Sequence, residues 1–241
     1  MGKITKQSQI TLVELPATQF GVLNGDLSGD IYSRIRVPSR ALGVLESVLR
    51  DEGWHHTQSI NPLFDETNGK LDEISFRRIF SSDVLGISSI TRTSPQSLEL
   101  AKRYHDVNPE GVVIFGGSDS KFRAVDYLQN GGDIVVMGEG EKTILEVIER
   151  LEKSGDLSRV KGIAHKRNGE IVVEQERRLL SSDELSNLPH PVYDESVRDQ
   201  ALAAVVETTR GCPHDCDFCT VTRNYGNAYR TKSIKYSIEE L

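Results

Sequence analysis

Between residues 9 and 151, short apolar runs of strand length alternate with longer stretches whose apolar residues recur every three or four positions. This alternation constrains the fold more than any other feature. Buried strands separated by amphipathic helices build a parallel sheet covered on both faces. The strand candidates are 10–13, a weaker run at 57–60, 84–90, 111–115 closed by Gly116-Gly117, and 133–137. A loop rich in Gly21, Asn24, Gly25, Asp26, Gly29 and Asp30 follows the first. Pro38 then opens a helix with Ala41, Val44, Leu45 and Val48 as its buried stripe. Ser94-Pro95 supplies an N-cap and first turn for a helix reaching about His105, and another covers 123–128. Gly138-Glu-Gly140 turns into a last helix with Ile144, Val147, Ile148 and Leu151 on one face. The expected fold class is α/β, a flavodoxin-like (Rossmann-like) doubly wound parallel sheet.

After residue 155 the pattern changes. Asn168-Gly169 sits between two strand-like segments, a strong two-residue hairpin signal. Leu188-Pro-His-Pro191 favours an extended connector. The stretch 201–207 is read as a new apolar strand running into Thr209-Arg210-Gly211-Cys212. The expected organisation is an α/β domain over 1–155, a hairpin and proline-containing linker over 156–198, and the start of a second domain over 199–241.

Composition narrows the partners. The chain of 241 residues has 29 Lys+Arg against 36 Asp+Glu, a formal net charge of −7. An acidic chain without a basic run argues against a nucleic-acid platform. No apolar run reaches the roughly 18–20 residues that span a bilayer, and MGKITKQSQI lacks a signal-peptide core. The expected setting is the cytoplasm, with no membrane partner.

All three cysteines, Cys212, Cys216 and Cys219, fall in one short loop. A disulfide framework needs an even, dispersed set. Clustered thiolates instead suit zinc or iron–sulfur chemistry. Three ligands are one short of a closed structural zinc site, whereas three thiolates on a four-iron cluster leave one iron open. A zinc site completed by His214 or a distant ligand is the plainer alternative.

The C-x3-C-x2-C spacing after a strand, with Phe218 before the last cysteine and Arg210-Gly211-Cys212-Pro213 around the first, resembles the radical S-adenosylmethionine superfamily. The resemblance implies a 4Fe-4S cluster held by Cys212, Cys216 and Cys219. S-adenosylmethionine would chelate the open iron and be cleaved reductively to a 5′-deoxyadenosyl radical. Tyr225-Gly226 and Arg230-Thr-Lys-Ser233 resemble the lead into the first barrel helix, and Ile234, Ile238 and Leu241 have helical spacing.

The N-terminal part resembles the cobalamin-binding domain that precedes the barrel in one branch of that superfamily. The resemblance rests on Gly86-Ile-Ser88-Ser-Ile90, on Gly116-Gly117 and on Gly138-Glu-Gly-Glu141, all at strand ends. Ligands of such sheets lie beyond the carboxyl ends of the strands, where the strand order switches. By this resemblance Ser88 and Ile90 match a Ser-x-Leu contact to the nucleotide tail, and Gly116, Gly117 and Gly138 border the corrin. The stretch 14–37 contains no histidine, so the protein supplies no lower imidazole ligand to cobalt there.

The other polar candidates read as bystanders. His55-His56 is a surface pair, His105 and His165 are solvated or structural, and His190 between two prolines faces the cleft between domains. Asp65-Glu66, Glu139 and Glu141 read as solvated loop charges.

The resemblance further implies methyl transfer to an unactivated carbon or phosphorus centre, or a rearrangement, on a small-molecule substrate. The electron donor would be of the flavodoxin or ferredoxin kind. The family's incomplete (β/α)6 barrel needs about six βα units of roughly 30 residues each, and only Thr220 to Leu241 follow the last cysteine. The chain is therefore expected to hold only the first βα unit, as a fragment, a truncated product or half of a split protein, and to be inactive alone. The competing expectation is a non-catalytic corrin- or ligand-binding module whose cysteine loop is vestigial or binds zinc.

Overall fold

The computed structural model describes residues 4–15, 36–62, 64, 66–67, 70–153 and 155–241. The glycine-rich loop after the first strand and Asp65 lie outside these residues, as does the side chain of Glu66. The chain runs β1 (Ile10–Glu14), α1 (Arg40–Asp51), β2 (Thr57–Ile60), a short pair β3 (Glu66–Thr67) and β4 (Lys70–Leu71), then α2 (Glu73–Ser81) and β5 (Val84–Ser88). It continues through α3 (Ser94–Val107), β6 (Val112–Gly116), α4 (Ala124–Gln129), β7 (Ile134–Val136), α5 (Glu141–Lys153), β8 (Ile163–Arg167) and β9 (Glu170–Val173). Beyond lie α6 (Ser182–Ser186), α7 (Glu195–Gln200), β10 (Thr209–Arg210), α8 (Val221–Tyr225), β11 (Arg230–Thr231) and α9 (Ile234–Glu239).

Seven strands form one sheet in the order β2-β1-β5-β6-β7-β8-β9. The first five are parallel; β8 and β9 add antiparallel to β7. The order reverses at β1, which pairs β2 on one side and β5 on the other. Alternate residues face opposite layers, as the two-residue period of a strand requires. Leu85, Ile87, Val113 and Phe115 pack with Phe80, Leu100, Tyr104 and Tyr127 of α2, α3 and α4. Leu12, Val84, Ile114 and Val136 pack with Leu42, Leu49, Ile144 and Val147 of α1 and α5. Both faces are covered, which is why the central strands are apolar throughout.

Several local expectations need correction. Helix α1 starts at Arg40 behind Ser39, whose hydroxyl accepts from Leu42 N–H at 3.4 Å, so Pro38 precedes the cap. Its core stripe is Leu42, Val44, Val48 and Leu49, whereas Ala41 is exposed and Leu45 half-buried. Thr93, not Ser94, occupies the N-cap position of α3. The Asn168-Gly169 hairpin forms as read, with φ of 52° and 83°, and its strands β8 and β9 extend the sheet antiparallel through β7. The stretch 201–207 makes no ladder; Leu202 and Val205 are exposed, and only Thr209 and Arg210 pair, antiparallel to β11. Apolar content alone does not make a strand when no neighbouring edge lies alongside.

His105, near the end of α3, sits 3.2 Å from Asp133 Oδ2, which also accepts Val113 N–H at 2.9 Å. The hydrogen bond to Asp133 raises the imidazole pKa against partial burial. The pair's contribution is therefore full below the ordinary histidine pKa of about 6.5 and fades as pH rises through the raised value. Urea unfolding of His105→Gln against wild type should show a loss of about 0.5–1 kcal/mol at acidic pH that shrinks in alkaline buffer. An equal loss at both pH values would contradict this.

Candidate functional site

A cavity of about 500 Å³ opens at the carboxyl ends of the parallel strands. Leu12, Gly86, Ile114 and Val136 form its floor, one residue from each of β1, β5, β6 and β7. Ala41 and Leu45 of α1 and Ile144 of α5 form its walls. The two residues that depart from the expected core stripe of α1 thus line this space. The segment from Val205 to Arg210 closes it from above and leads directly into the cysteine loop.

Of the sequence candidates, Ser88, Gly116, Gly117 and Gly138 line the cavity. Ser88 Oγ donates to Glu14 Oε2 at 3.2 Å. Ile90 is 43% exposed and is not part of the cavity wall. The two glycines of the pair differ. A Cβ at Gly116 would meet nothing within 4 Å. Gly117 has φ +95°, and a Cβ there would stand 2.3 Å from Ser89 O and 2.7 Å from Ser89 N. Its requirement for glycine comes from the neighbouring strand-end loop. That contact is fixed further by Ser89 N–H donating to Gly116 O at 2.8 Å, and by a chain of hydrogen bonds from Ser89 Oγ through Tyr127 Oη to Asp119.

The sequence reading missed the site's electrostatic centre. Glu139 and Glu141 are not solvated; they are 9% and 7% exposed and bind arginines from the C-terminal segment. Arg210 donates from Nη1 to Glu139 Oε1 at 3.3 Å and from Nη2 to Glu141 Oε1 at 2.5 Å. Its Nε donates to Glu207 Oε1 at 2.8 Å. In the β10–β11 pair Arg210 lies directly opposite Arg230. Like charges so placed repel, and Glu139 Oε1, 2.8 Å from Arg230 Nη1, neutralises both. Arg40 binds Glu207 at 3.1 Å and also Glu240, while Lys232 Nζ lies 3.1 Å from Glu207 Oε2.

Four cations and four carboxylates are thus sequestered together. Burial, which opposes the charge on Arg210, is outweighed by Glu141 and Glu207, so its pKa is raised. Burial likewise opposes the charge on Glu207, but Arg210, Arg40 and Lys232 hold its pKa below the ordinary value. Lys232 goes the other way: desolvation lowers its pKa despite Glu207. Such a network costs desolvation and repays it only when complete. The signal available in the sequence was Gly-Glu-Gly-Glu beside a strand end, with its partners far along the chain.

The cysteine loop follows at once. Gly211 has φ +88°, and a Cβ there would lie 2.2 Å from Ala228 O. Cys212 N–H donates to Gly226 O at 3.3 Å, and Cys219 N–H to Cys216 O at 3.0 Å. The three thiols are free; Cys216 is exposed and the others half-buried. His214 is exposed, as is Phe218 at 90%. Among the described residues, no three His, Cys, Asp or Glu side chains are gathered as a metal site. As a donor set, three unpaired thiolates on one loop fit a cluster with an open iron. The cavity, with its apolar floor and with Gly116 and Gly138 leaving open space where a Cβ would stand, fits a bulky ligand that carries a flat apolar part.

The remaining histidines lie elsewhere. His55 and His56 are exposed, His165 pairs with Glu174 at 3.3 Å, and His190 stacks on Tyr236 with ring centroids 4.4 Å apart. His190 therefore does not face the cavity.

Residues 33–148 match the B12-binding domain family. An uncharacterised methyltransferase of Pyrococcus horikoshii is 30% identical over 211 residues, covering 85% of this chain and 45% of that protein. A cobalamin-dependent radical SAM methyltransferase, TokK of Streptomyces tokunonensis, is 29% identical over 176 residues, covering 68% of this chain and 25% of its own. The chain thus spans less than half the length of these relatives. Among solved structures, the radical S-adenosylmethionine methyltransferase TsrM of Kitasatospora setae, with cobalamin and a [4Fe-4S] cluster bound, shares the fold. Its TM-score is 0.70 at 16% identity, over 97% of this chain and 45% of that one. No helix among the described residues is long and apolar enough to cross a membrane. Residues 33–148 are thus similar to the B12-binding domain family, and the chain shares an α/β fold with TsrM and sequence similarity with methyltransferases such as TokK.

Proposed function

We propose that this chain holds the corrin and the iron–sulfur cluster of a radical S-adenosylmethionine enzyme whose whole-protein reaction is a methyl transfer. The observation that carries the reading is the shared wall. Arg210 lines the cavity at the strand ends and stands two residues before Cys212. A ligand at the strand ends and a cluster on the cysteine loop would therefore be neighbours.

In this reading Ser88, Gly116, Gly117 and Gly138 border the corrin and its nucleotide tail. The apolar space between Gly86, α1 and α5 takes the flat, apolar part of that tail. Ile90, outside the cavity wall, plays a lesser part than the sequence motif suggests. Cys212, Cys216 and Cys219 hold the cluster, with Phe218 beside it. When bound, the cluster with S-adenosylmethionine supplies a carbon-centred radical and the corrin a methyl group. The chain's own residues orient the two sites and keep water from the apolar floor. The substrate class is a small molecule with an unactivated carbon or phosphorus centre, and the electron donor is of the flavodoxin or ferredoxin kind. The reducing cytoplasm suits the free thiols. The names of the relatives support methyl transfer over rearrangement.

The test is anaerobic reconstitution with iron and sulfide alongside a cyanocobalamin titration. Broad visible absorbance that disappears in Cys216→Ala, together with saturable corrin binding, is the expected result. Stoichiometric zinc without iron would replace the cluster with a simple metal site. Failure to bind cyanocobalamin would reduce the N-terminal part to a scaffold.

A further inference from the structure

We propose that Glu14 is a positioning residue that makes the cavity selective for a corrin whose nucleotide base presents an N–H donor. It does so by taking the Ser88 hydroxyl proton, which leaves Ser88 able only to accept. The inference rests on the reading of the cavity as a corrin site and names the kind of corrin it takes. Corrins of this kind differ in the base of the tail. Dimethylbenzimidazole carries a bare ring nitrogen and no N–H, whereas adenine carries an exocyclic amino group.

Both residues end their strands. Glu14 closes β1, Ser88 closes β5, and the two are register partners across the parallel pair. The sheet order reverses at β1, and such a reversal is the usual place for a ligand. The two-residue period of a strand sets the directions. Leu12 and Gly86 lie in the cavity floor, so Glu14 and Ser88, two residues on, are presented to the same layer. Ile87 between them packs in the opposite core. Ser88 lines the cavity and is only half-buried, so it keeps surface open to a ligand. Its register partner on the other side is Gly116, which has no side chain to cover it.

Hydrogen-bond inventory decides what Ser88 can offer. A serine hydroxyl has one proton to give and two lone pairs, and a carboxylate oxygen accepts. Glu14 Oε2 accepts from Ser88 Oγ at 3.2 Å and from Ser39 Oγ at 2.7 Å. Ser39 is the N-cap of α1, so the carboxylate is anchored from the helix side as well. A hydrogen bond to a carboxylate is about twice as strong as one to a neutral acceptor. The Ser88 proton therefore stays with Glu14 rather than turning to a bare ring nitrogen. What remains towards the cavity is a lone pair, which an amino group satisfies and a bare nitrogen does not.

The full chain, purified anaerobically, is titrated by equilibrium dialysis with two cyano-corrins that differ only in the base, adenine or dimethylbenzimidazole. The ratio of the two affinities is read, because the different hold of each base on cobalt is common to every variant and cancels. Ser88→Ala is expected to shift this ratio about fivefold away from the adenine form, the size of one neutral hydrogen bond. Glu14→Leu should shift it the same way by a similar factor, since Ser88 then regains a proton to give. A purely structural role for Glu14 would weaken both ligands alike and leave the ratio unchanged, which overturns the proposal. An unchanged ratio in Ser88→Ala, or a shift towards the adenine form, also overturns it, and the corrin reading stands because both ligands still bind. No binding of either ligand by the wild-type chain would overturn both. Should Glu14→Leu fail to fold, Glu14→Asp carries the same comparison, because its shorter side chain draws the carboxylate off Ser88.

Discussion

Arg210→Met is expected to lower the stability of the chain by about 3–5 kcal/mol, the usual cost of removing one partner from a buried ion network. Methionine preserves much of the side-chain volume, so packing is not the main loss. Glu139, Glu141 and Glu207 would each lose a hydrogen-bonded cation while staying buried or half-buried. Arg230, Arg40 and Lys232 compensate only in part, because each is already committed to these same carboxylates or to Glu240. Urea denaturation followed by circular dichroism measures the change. The double variant Arg210→Met/Glu141→Leu should recover part of it, since it removes a stranded charge along with its partner. A loss below about 1 kcal/mol, the level of an exposed ion pair, would show the network to be solvated.

Gly117→Val is expected to cost about 3 kcal/mol or more, from backbone strain at positive φ and from overlap with a rigid neighbour. The overlap is with the backbone of Ser89, which is held by Gly116 O and cannot swing aside as a flexible side chain would. Gly116→Ala is the informative contrast. Its Cβ would meet no protein atom within 4 Å, so stability should stay within about 0.5 kcal/mol. The same methyl group would project from a residue on the cavity wall and should weaken cyanocobalamin binding. Comparable destabilisation by both substitutions would mean that the two glycines share one structural role.

What the sequence revealed and what it hid follow from the range of the interactions. Ile144, Val147, Ile148 and Leu151 face the core as their spacing requires, because a helix stripe is a local property. The Asn168-Gly169 turn is equally local, needing two residues that tolerate positive φ. Nothing near Glu139 and Glu141 in the sequence reveals their burial, because their partner Arg210 lies 71 and 69 residues away. Two glutamates among glycines look solvated until the chain returns. The stretch from Ala201 misled for the opposite reason, since its apolar character is local while a strand needs a neighbour. Helical spacing puts Ala41 and Leu45 on the apolar face of α1 without saying whether protein or open cavity lies against that face.

The switch in strand order has a consequence for how the chain assembles. Strand β1 is the first made, yet its inner neighbour β5 begins only after a long intervening stretch, with Gln9 N–H bonded to Asp83 across 74 residues. The strands β6, β7, β8 and β9 are joined in sequence order by much shorter closures. Loop-closure entropy favours these sequentially joined strands as the early nucleus, with β1 docking late. The strand end contributed by β1 to the cavity is then completed only when the rest of the sheet is in place. Cavity formation would thereby report the end of folding rather than its beginning.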